Sequence, residues 1–363
     1  MQLELTSLEQ YLEQTGGKGV QIIDTHLLGG AVKGEAALKQ FGYGRPILVT
    51  YRANGREEKI VLHLINRNAF GHERDDDRIA TVWLDFNTFN RLPAHVPALD
   101  MIAYTSEGHM QSLKSAQTLL LVTAYRPGRP YADDLMRIRD EGDLQPLDMK
   151  RAETLAGYLA EIHQVKRNEP ALWRRRLRDL IGHGEGVMGL TDSYPKDLSY
   201  VAEADLRALE EKVNRWRWRL KPLNHRLSQV HGDFHPFNIL FEKDRNFHVL
   251  DRSRGEWGEP ADDVSCLTVN YLFFSLQRFD KLEGPFQALH NKFWERYLAL
   301  QPDEELLTVI QPWFAWRILV LASPIWYPTI SEDTRRKLFS FANCVLSLNK
   351  YDYSRVNQYL ETV

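Results

Sequence analysis

Three polar side chains around a short predicted hairpin constrain this chain more than any other feature of its sequence. Asp233 precedes Asn238 by five residues, and Asp251 follows thirteen residues later, at the end of an apolar run. The stretches 238–241 and 247–250 have the composition of two short strands. Asp and Asn are also common in turns, where they bond to their own backbone, so an ordinary loop is the alternative reading. Two carboxylates and one amide at this spacing instead predict a site for a hard divalent cation.

The same residues suit the transfer of a phosphoryl group. That reaction needs a carboxylate beside the acceptor hydroxyl and oxygen ligands that hold magnesium on the phosphates. The order and spacing match the H-R-D-x-x-x-x-N loop and the later metal-binding Asp of protein kinases, with Gly232 in place of the Arg. His231 is expected to be structural, and His235 has no assigned role.

The His-Gly-Asp form of this loop resembles the aminoglycoside phosphotransferase and choline kinase family, which are small-molecule kinases related in fold to protein kinases. The likeness continues at residues 258–263, which are similar to the family's segment after the metal-binding Asp. The resemblance implies that Asp233 is the catalytic base and that Asp263 braces the catalytic loop. It implies Asn238 and Asp251 as magnesium ligands, and ATP and Mg²⁺ as cofactors.

Length and composition fit a two-lobed globular protein. The chain has 363 residues, beyond the usual limit of a single core, and 43% of them are hydrophobic. A net charge of −3 without a strongly basic tract argues against nucleic acid as a partner. The first residues lack a signal-peptide pattern and the apolar stretches are too short to cross a bilayer, so we expect a cytoplasmic protein without membrane contacts.

The first third of the sequence predicts strands and turns. Asn54-Gly55 between two apolar runs is a strong hairpin signal. Apolar residues at helical spacing, preceded by acids, predict a helix over 77–89. The predicted strands are 20–28, 46–51, 59–65, 99–104 and 118–124.

Helices dominate from about residue 146 onward. They are predicted over 149–165, 204–220, 262–279, 285–300, 304–322 and 331–349. The fold class is therefore α+β. We expect a protein-kinase-like two-lobed fold, with a small antiparallel-sheet N-lobe and a larger, mainly helical C-lobe. Residues 1–125 would form the nucleotide-binding lobe, and residues 126–363 the lobe with the catalytic loop and the substrate site.

The sequence indicates the contacts with the nucleotide less strongly than it indicates the catalytic base and the metal ligands. Gly29 and Gly30 could bring backbone amides close to the phosphates, although two glycines between strands are also an ordinary turn. Ala124 and Tyr125 are the candidates for the adenine-facing hinge between the lobes.

The sequence departs from the family at the phosphate clamp. The resembled family carries Lys or Arg on its third strand within an apolar-apolar-basic-apolar pattern, and here that pattern falls on His63. A misregistered strand is the alternative, with Lys59 or Arg67 supplying the charge. The helix carboxylate that would pair with the clamp is Asp76 or Asp77.

A second departure follows the metal-binding Asp. Arg252-Ser253 stands where relatives more often place an aromatic and an acidic residue. Arg252 could pair with Asp262 or Asp263, or contact an anionic ligand. The two departures motivate the alternative of a nucleotide-binding pseudokinase.

The predicted activity is transfer of the γ-phosphate of ATP to a hydroxyl of a small metabolite or aminoglycoside-like compound, by a monomer or a homodimer. The many tryptophans are expected to be core residues first. A cage for a quaternary ammonium group is the alternative, with the candidates Trp313, Trp316, Trp326 and Tyr327.

Overall fold

The chain folds as two units, Met1–Thr123 and Ala124–Val363. The computed structural model describes residues 4–28 and 44–361. Gly29 and Gly30, the predicted phosphate-binding glycines, lie outside the described residues.

The first unit is built on a three-stranded antiparallel sheet in the order β1-β2-β3. Asn54 and Gly55 both have positive φ, as the tight turn between β2 and β3 requires, and Ala53 pairs with Arg56 across it. The buried residues of helix α1 share one small core with those of β2, and α1 lies against β5. The elements are α1 (Leu5–Gln14), β1 (Gln21–Leu27), β2 (Ile47–Ala53), β3 (Arg56–Leu62), α2 (Asp75–Thr88), β4 (Ile102–Tyr104) and β5 (Met110–Ser112).

Two strand predictions in this unit are wrong. One strand has other bounds than predicted, and the other is absent. The turn fixes the register, so β3 already begins at Arg56 and ends at Leu62, and His63 lies just beyond it. The predicted strand 118–124 is absent. Its side chains at 119–122 are 62–90% exposed, and an apolar run forms a strand only where its backbone finds a partner strand.

The second unit is mainly helical, around one continuous core. Helix α8 is buried along nearly its whole length and packs against α9 and α11, while α4 packs against α9. The helices are α3 (Tyr131–Glu141), α4 (Pro146–His163), α5 (Pro170–Gly182), α6 (Val187–Asp192), α7 (Glu203–Leu220), α8 (Pro260–Phe279), α9 (Gly284–Leu300), α10 (Leu306–Val309), α11 (Gln311–Leu321) and α12 (Glu332–Val345).

The predicted helix 304–322 is two helices, α10 and α11. Pro312 lies in the first turn of α11, where its missing N–H costs no intrahelical hydrogen bond, so the chain starts a new helix there. Trp173, Trp294 and Trp313 are completely buried, which confirms that these tryptophans are core residues.

Short strands carry the loops that matter for the candidate site. Strands β7 and β10 are antiparallel neighbours, and β8 pairs with both β6 and β9. The strands are β6 (Arg129–Pro130), β7 (Ser228–Gln229), β8 (Ile239–Lys243), β9 (Asn246–Val249) and β10 (Trp257–Gly258). Among the described helices, none combines the length and apolar character that a membrane crossing requires.

Candidate active site

The backbone before Asp233 is held by a buried carboxylate at the start of α8. The N–H of His231 donates to Oδ2 of Asp263 and the N–H of Gly232 to Oδ1, both at 2.7 Å. His163, at the end of α4, contacts Oδ2 through Nε2 at 3.2 Å. Burial raises the pKa of Asp263, but the hydrogen bond and charge of His163 outweigh burial and hold the pKa below its ordinary value. These contacts confirm that Asp263 braces the loop.

His231 connects the loop to the second strand of the hairpin. Its Nδ1 accepts from the N–H of Asp233 at 3.2 Å, and its Nε2 donates to the carbonyl of Leu250 at 2.8 Å. The side chain is buried, and both ring nitrogens are used. The structural role expected for His231 is therefore confirmed. Gly232 has a φ of 87°, a conformation that glycine adopts without strain.

Two arginines bind one oxygen of Asp233. Nη1 of Arg254 lies 2.6 Å from Oδ1, and Nη1 of Arg317 donates to the same atom at 2.7 Å. Oδ2 accepts no hydrogen bond from the described residues, and Nε2 of His235 lies 3.8 Å from it. Burial raises the pKa of Asp233, but the two arginines outweigh burial and lower it to about 2. The carboxylate is therefore ionised at neutral pH, with Oδ2 left for another donor.

The arginines belong to a buried network that sequence reasoning missed. Arg317, on α11, also donates to the carbonyl of Gly232 at 2.9 Å and pairs with Asp262, which pairs in turn with Arg176. Arg317 is 84 residues from Asp233 in sequence, and no local pattern indicates their contact. Arg254, only three residues after Asp251, is the member that the sequence could have suggested.

The main chains of the two candidate metal ligands are neighbours at the open end of the hairpin. The N–H of Leu250 donates to the carbonyl of Asn238 at 2.9 Å, so Asp251 follows directly beside Asn238. The Asn238 amide donates its N–H to the carbonyl of Asp233 at 3.1 Å, which leaves its carbonyl oxygen as a possible ligand. Asp251 is exposed, with a φ of 52°. An amide and a carboxylate oxygen fit a hard cation.

The described residues contain no cluster of three or more His, Cys, Asp and Glu side chains suited to a metal ion. Asn238 and Asp251 supply two oxygen ligands between them. Magnesium in nucleotide sites usually binds one or two carboxylates and takes its other ligands from phosphates and water. The residues present therefore fit a magnesium ion that arrives with a nucleotide.

The predicted nucleotide contacts lie apart from the catalytic loop in sequence. His63, in the first unit, is exposed, and Tyr125 is 87% exposed in a segment without strands that also contains Ala124. The roles of these three residues stay predictions.

Arg252 does not make the predicted pairs. It donates to the carbonyl of Val230 through Nε and Nη2, at 3.0 and 2.8 Å, and to that of Glu256 at 3.3 Å. Asp262 and Asp263 are already bound, the first by arginines and the second by the loop backbone. Arg252 is therefore a support for the loop.

The tryptophan cage is not formed as one exposed site. Trp313 is completely buried and Trp316 is 2% exposed, whereas Trp326 is 58% exposed. The guanidinium of Arg317 lies 4.0 Å from the centre of the Trp316 ring, and that of Arg254 lies 4.9 Å from it. The protein's own cations thus occupy the ring that a ligand cation would need.

The fold is that of a kinase-like phosphotransferase. Residues 85–302 match the model of the phosphotransferase enzyme family, and the chain belongs to this family. The match covers more than half of the chain. It confirms the predicted family and the α+β fold class.

The solved structures that match this chain do so at low sequence identity. An amicoumacin kinase in complex with AMP-PNP, Ca²⁺ and Ami is 13% identical over 92% of this chain and 91% of its own, with a TM-score of 0.42. An ethanolamine kinase from Plasmodium vivax is 14% identical over 94% of this chain and 79% of its own, with a TM-score of 0.35.

A glucosamine kinase is 18% identical over 63% of this chain, with a TM-score of 0.34. This chain covers only 55% of that enzyme. No curated protein sequence matches. The family assignment therefore rests on the family model, and the acceptor has to be argued from the site.

Proposed function

We propose that this protein transfers the γ-phosphate of ATP to a hydroxyl group of a small molecule. The state of Asp233 carries this proposal. One of its oxygens is fixed by two arginines, and the other accepts no hydrogen bond from the described part of the chain. An ionised carboxylate with one committed and one available oxygen is suited to orient an acceptor hydroxyl.

The proton and the phosphoryl group are transferred in the same step. The acceptor oxygen bonds to the γ-phosphorus, the bond to the leaving oxygen of ADP breaks, and the hydroxyl proton passes to Oδ2 of Asp233. A pKa of about 2 makes Asp233 a weak base in the ground state. Phosphoryl transfer depends mainly on positioning and charge stabilisation, so a fixed carboxylate suits it better than a strong but mobile base.

Asn238 and Asp251 would hold the magnesium ion, which neutralises charge on the phosphates when bound. The hydrogen bond from Asn238 to the Asp233 carbonyl supports this role, because it ties the candidate ligand to the residue that would orient the acceptor. Gly29, Gly30, His63, Ala124 and Tyr125 are proposed to contact ATP, as predicted from the sequence.

The test compares three variants that change one carboxylate each. Asp233→Asn should lower the rate of ATP turnover about 10³-fold, since it removes the proton acceptor, while magnesium-dependent binding of a fluorescent ATP analogue stays close to that of the wild type. Asp251→Ala should weaken that binding. Asp244→Asn is the matched control, because Asp244 is exposed in the β8–β9 turn and its positive φ suits Asn. Undiminished turnover in Asp233→Asn would refute the catalytic assignment.

A nucleotide-binding module without catalysis is the second candidate. The two arginines on Asp233 favour it, because they neutralise the carboxylate that catalysis would use. It predicts tight, magnesium-dependent nucleotide binding with no phosphorylated product from any acceptor. Turnover that Asp251→Ala abolishes would exclude it.

A further inference from the structure

We infer that His235 binds the acceptor hydroxyl together with Asp233. The Nε2–H group of His235 donates to the hydroxyl oxygen, while the hydroxyl donates its proton to Oδ2 of Asp233. This inference rests on the proposed function, because it concerns the acceptor of the same transfer. His235 is the one polar side chain in the loop between Asp233 and Asn238.

The ring of His235 is fixed by the turn that follows it. Its Nδ1 accepts from the N–H of Phe237 at 3.2 Å, so His235 caps the short helical turn Pro236–Asn238. Because Nδ1 serves as an acceptor, the proton of the neutral ring lies on Nε2. Burial lowers the pKa of His235 despite the opposing effect of the Asp233 charge, so the ring is neutral at pH 7. His235 therefore has a single side-chain donor, at Nε2.

The main chain holds this donor beside the candidate base. The N–H of His235 donates to the carbonyl of Asp233 at 2.9 Å, and its own carbonyl accepts from the N–H of Asn238 at 2.9 Å. The carboxylate of Asp233 is bound at Oδ1 by Arg254 and Arg317. The positions of both side chains are therefore determined by the protein itself, before an acceptor binds.

The distance between the two groups fits one bridging oxygen. Nε2 of His235 and Oδ2 of Asp233 lie 3.8 Å apart, which is too far for a direct hydrogen bond. An oxygen about 2.8 Å from each atom, an ordinary hydrogen-bond length, would connect them. In the part of the chain that the structure describes, Nε2 has no acceptor and Oδ2 has no donor. The side chain of His235 is 31% exposed, so a ligand can reach this pair.

A hydroxyl group has the hydrogen-bonding capacity that this pair requires. It carries one O–H donor and two lone pairs. When its proton is directed to Oδ2 and one lone pair accepts from Nε2–H, the other lone pair is left to bond to the γ-phosphorus. Two hydrogen bonds thus orient the nucleophile, and phosphoryl transfer depends mainly on such positioning. His235 keeps its proton throughout, so the bonds that form and break are those of the proposed transfer.

An ammonium group does not fit the same position. It has three donors and no lone pair, so it cannot accept from Nε2–H. On an acceptor that carries both groups, such as an amino alcohol, the phosphoryl group should therefore be transferred to the oxygen.

A crystal structure of the full chain, at a resolution that shows ordered water, tests the bridge directly. Without an acceptor, we expect a water oxygen within about 3.2 Å of both Nε2 of His235 and Oδ2 of Asp233, in the position of the acceptor hydroxyl. The inference is overturned if the two side chains contact each other directly, or if no oxygen lies within reach of both. This measurement does not depend on activity, so it is separate from the test of the proposed function.

Two variants separate the roles of the two ring nitrogens. His235→Asn keeps an acceptor at the position of Nδ1, and Asn is a good capping residue, but its amide is too short to reach the position of Nε2. His235→Gln places a donor amide near Nε2 and loses the cap. ATP turnover is measured with water and with a mixed pool of sugars, polyols and amino alcohols as acceptors. We expect it to fall about tenfold in His235→Asn and at most about threefold in His235→Gln, with magnesium-dependent nucleotide binding unchanged in both.

His248→Asn is the matched control. The side chain of His248 is also 31% exposed, and its Nε2 lies 3.7 Å from a carboxylate oxygen of Glu242 rather than of the candidate base. Turnover should be unchanged in this variant. If His235→Asn is as fast as His235→Gln or faster, the cap alone explains the residue, and the inference is overturned while the proposed function stands. If the wild-type protein consumes no ATP with any acceptor, the proposed function is overturned and the inference falls with it.

Discussion

Removing the carboxylate of Asp263 should destabilise the protein and displace the candidate base. Asp263 is completely buried and accepts from the N–H groups of His231 and Gly232, with His163 as a third partner. Asp263→Ala leaves two backbone N–H groups buried without an acceptor, and each such group costs about 1–3 kcal/mol. We therefore expect the free energy of unfolding to fall by about 3–5 kcal/mol. The pKa of Asp263 is lowered in the folded state, so its contribution is complete at neutral pH and is lost only as acid protonates it.

Urea unfolding at pH 7 measures this loss, and hydrogen exchange measures where it arises. The amides of His231 and Gly232 should exchange faster in Asp263→Ala, by more than amides in α9 do. Asp263→Asn keeps one acceptor oxygen and should lose roughly half as much stability. At a temperature where both variants are folded, ATP turnover should fall, because the main chain that leads into Asp233 is displaced. If Asp263→Ala lowers the free energy of unfolding by less than about 1 kcal/mol, Asp263 does not brace the loop.

The remaining predictions concern a buried ion pair, pH and the metal. Arg226→Met should destabilise the protein by about 3–5 kcal/mol in urea unfolding, because it leaves the buried carboxylate of Glu259 unpaired. Since the pKa of Asp233 is about 2, its protonation should not limit turnover above about pH 4. Arg254→Gln removes a positive neighbour, raises that pKa and should move the acid limb of the pH–rate profile upward by about one pH unit. Asp251→Asn should raise the magnesium concentration needed for half-maximal nucleotide binding about tenfold, measured by titration at fixed nucleotide.

The parts of the fold that local chemistry fixes could be predicted. Asn54-Gly55 specified the β2–β3 turn, and the five-residue spacing from Asp233 to Asn238 specified the loop before β8. The turn depends on no distant residue, whereas the loop before β8 is also held by Asp263. The strand predicted over 118–124 failed because a strand requires a partner that an apolar run does not reveal.

The same distinction between local and distant contacts applies to the residues of the candidate site. Asp263 was predicted as the brace because residues 258–263 are similar to the family's segment after the metal-binding Asp. Arg317 was missed because only the packing of α11 brings it to Asp233. Arg252 was expected to pair with Asp262 or Asp263 or to contact an anionic ligand. The two acids are bound by other groups, and only the three-dimensional structure decides which partner each acid takes.

Asp262 and Asp263 are consecutive residues in the first turn of α8. Asp263 holds the main chain that leads into Asp233, while Asp262 holds the guanidinium of Arg317 that fixes the Asp233 side chain. The first turn of α8 therefore positions both the main chain of Asp233 and the arginine that binds its side chain. A displacement of this turn would therefore disturb the main chain and the side chain of Asp233 together.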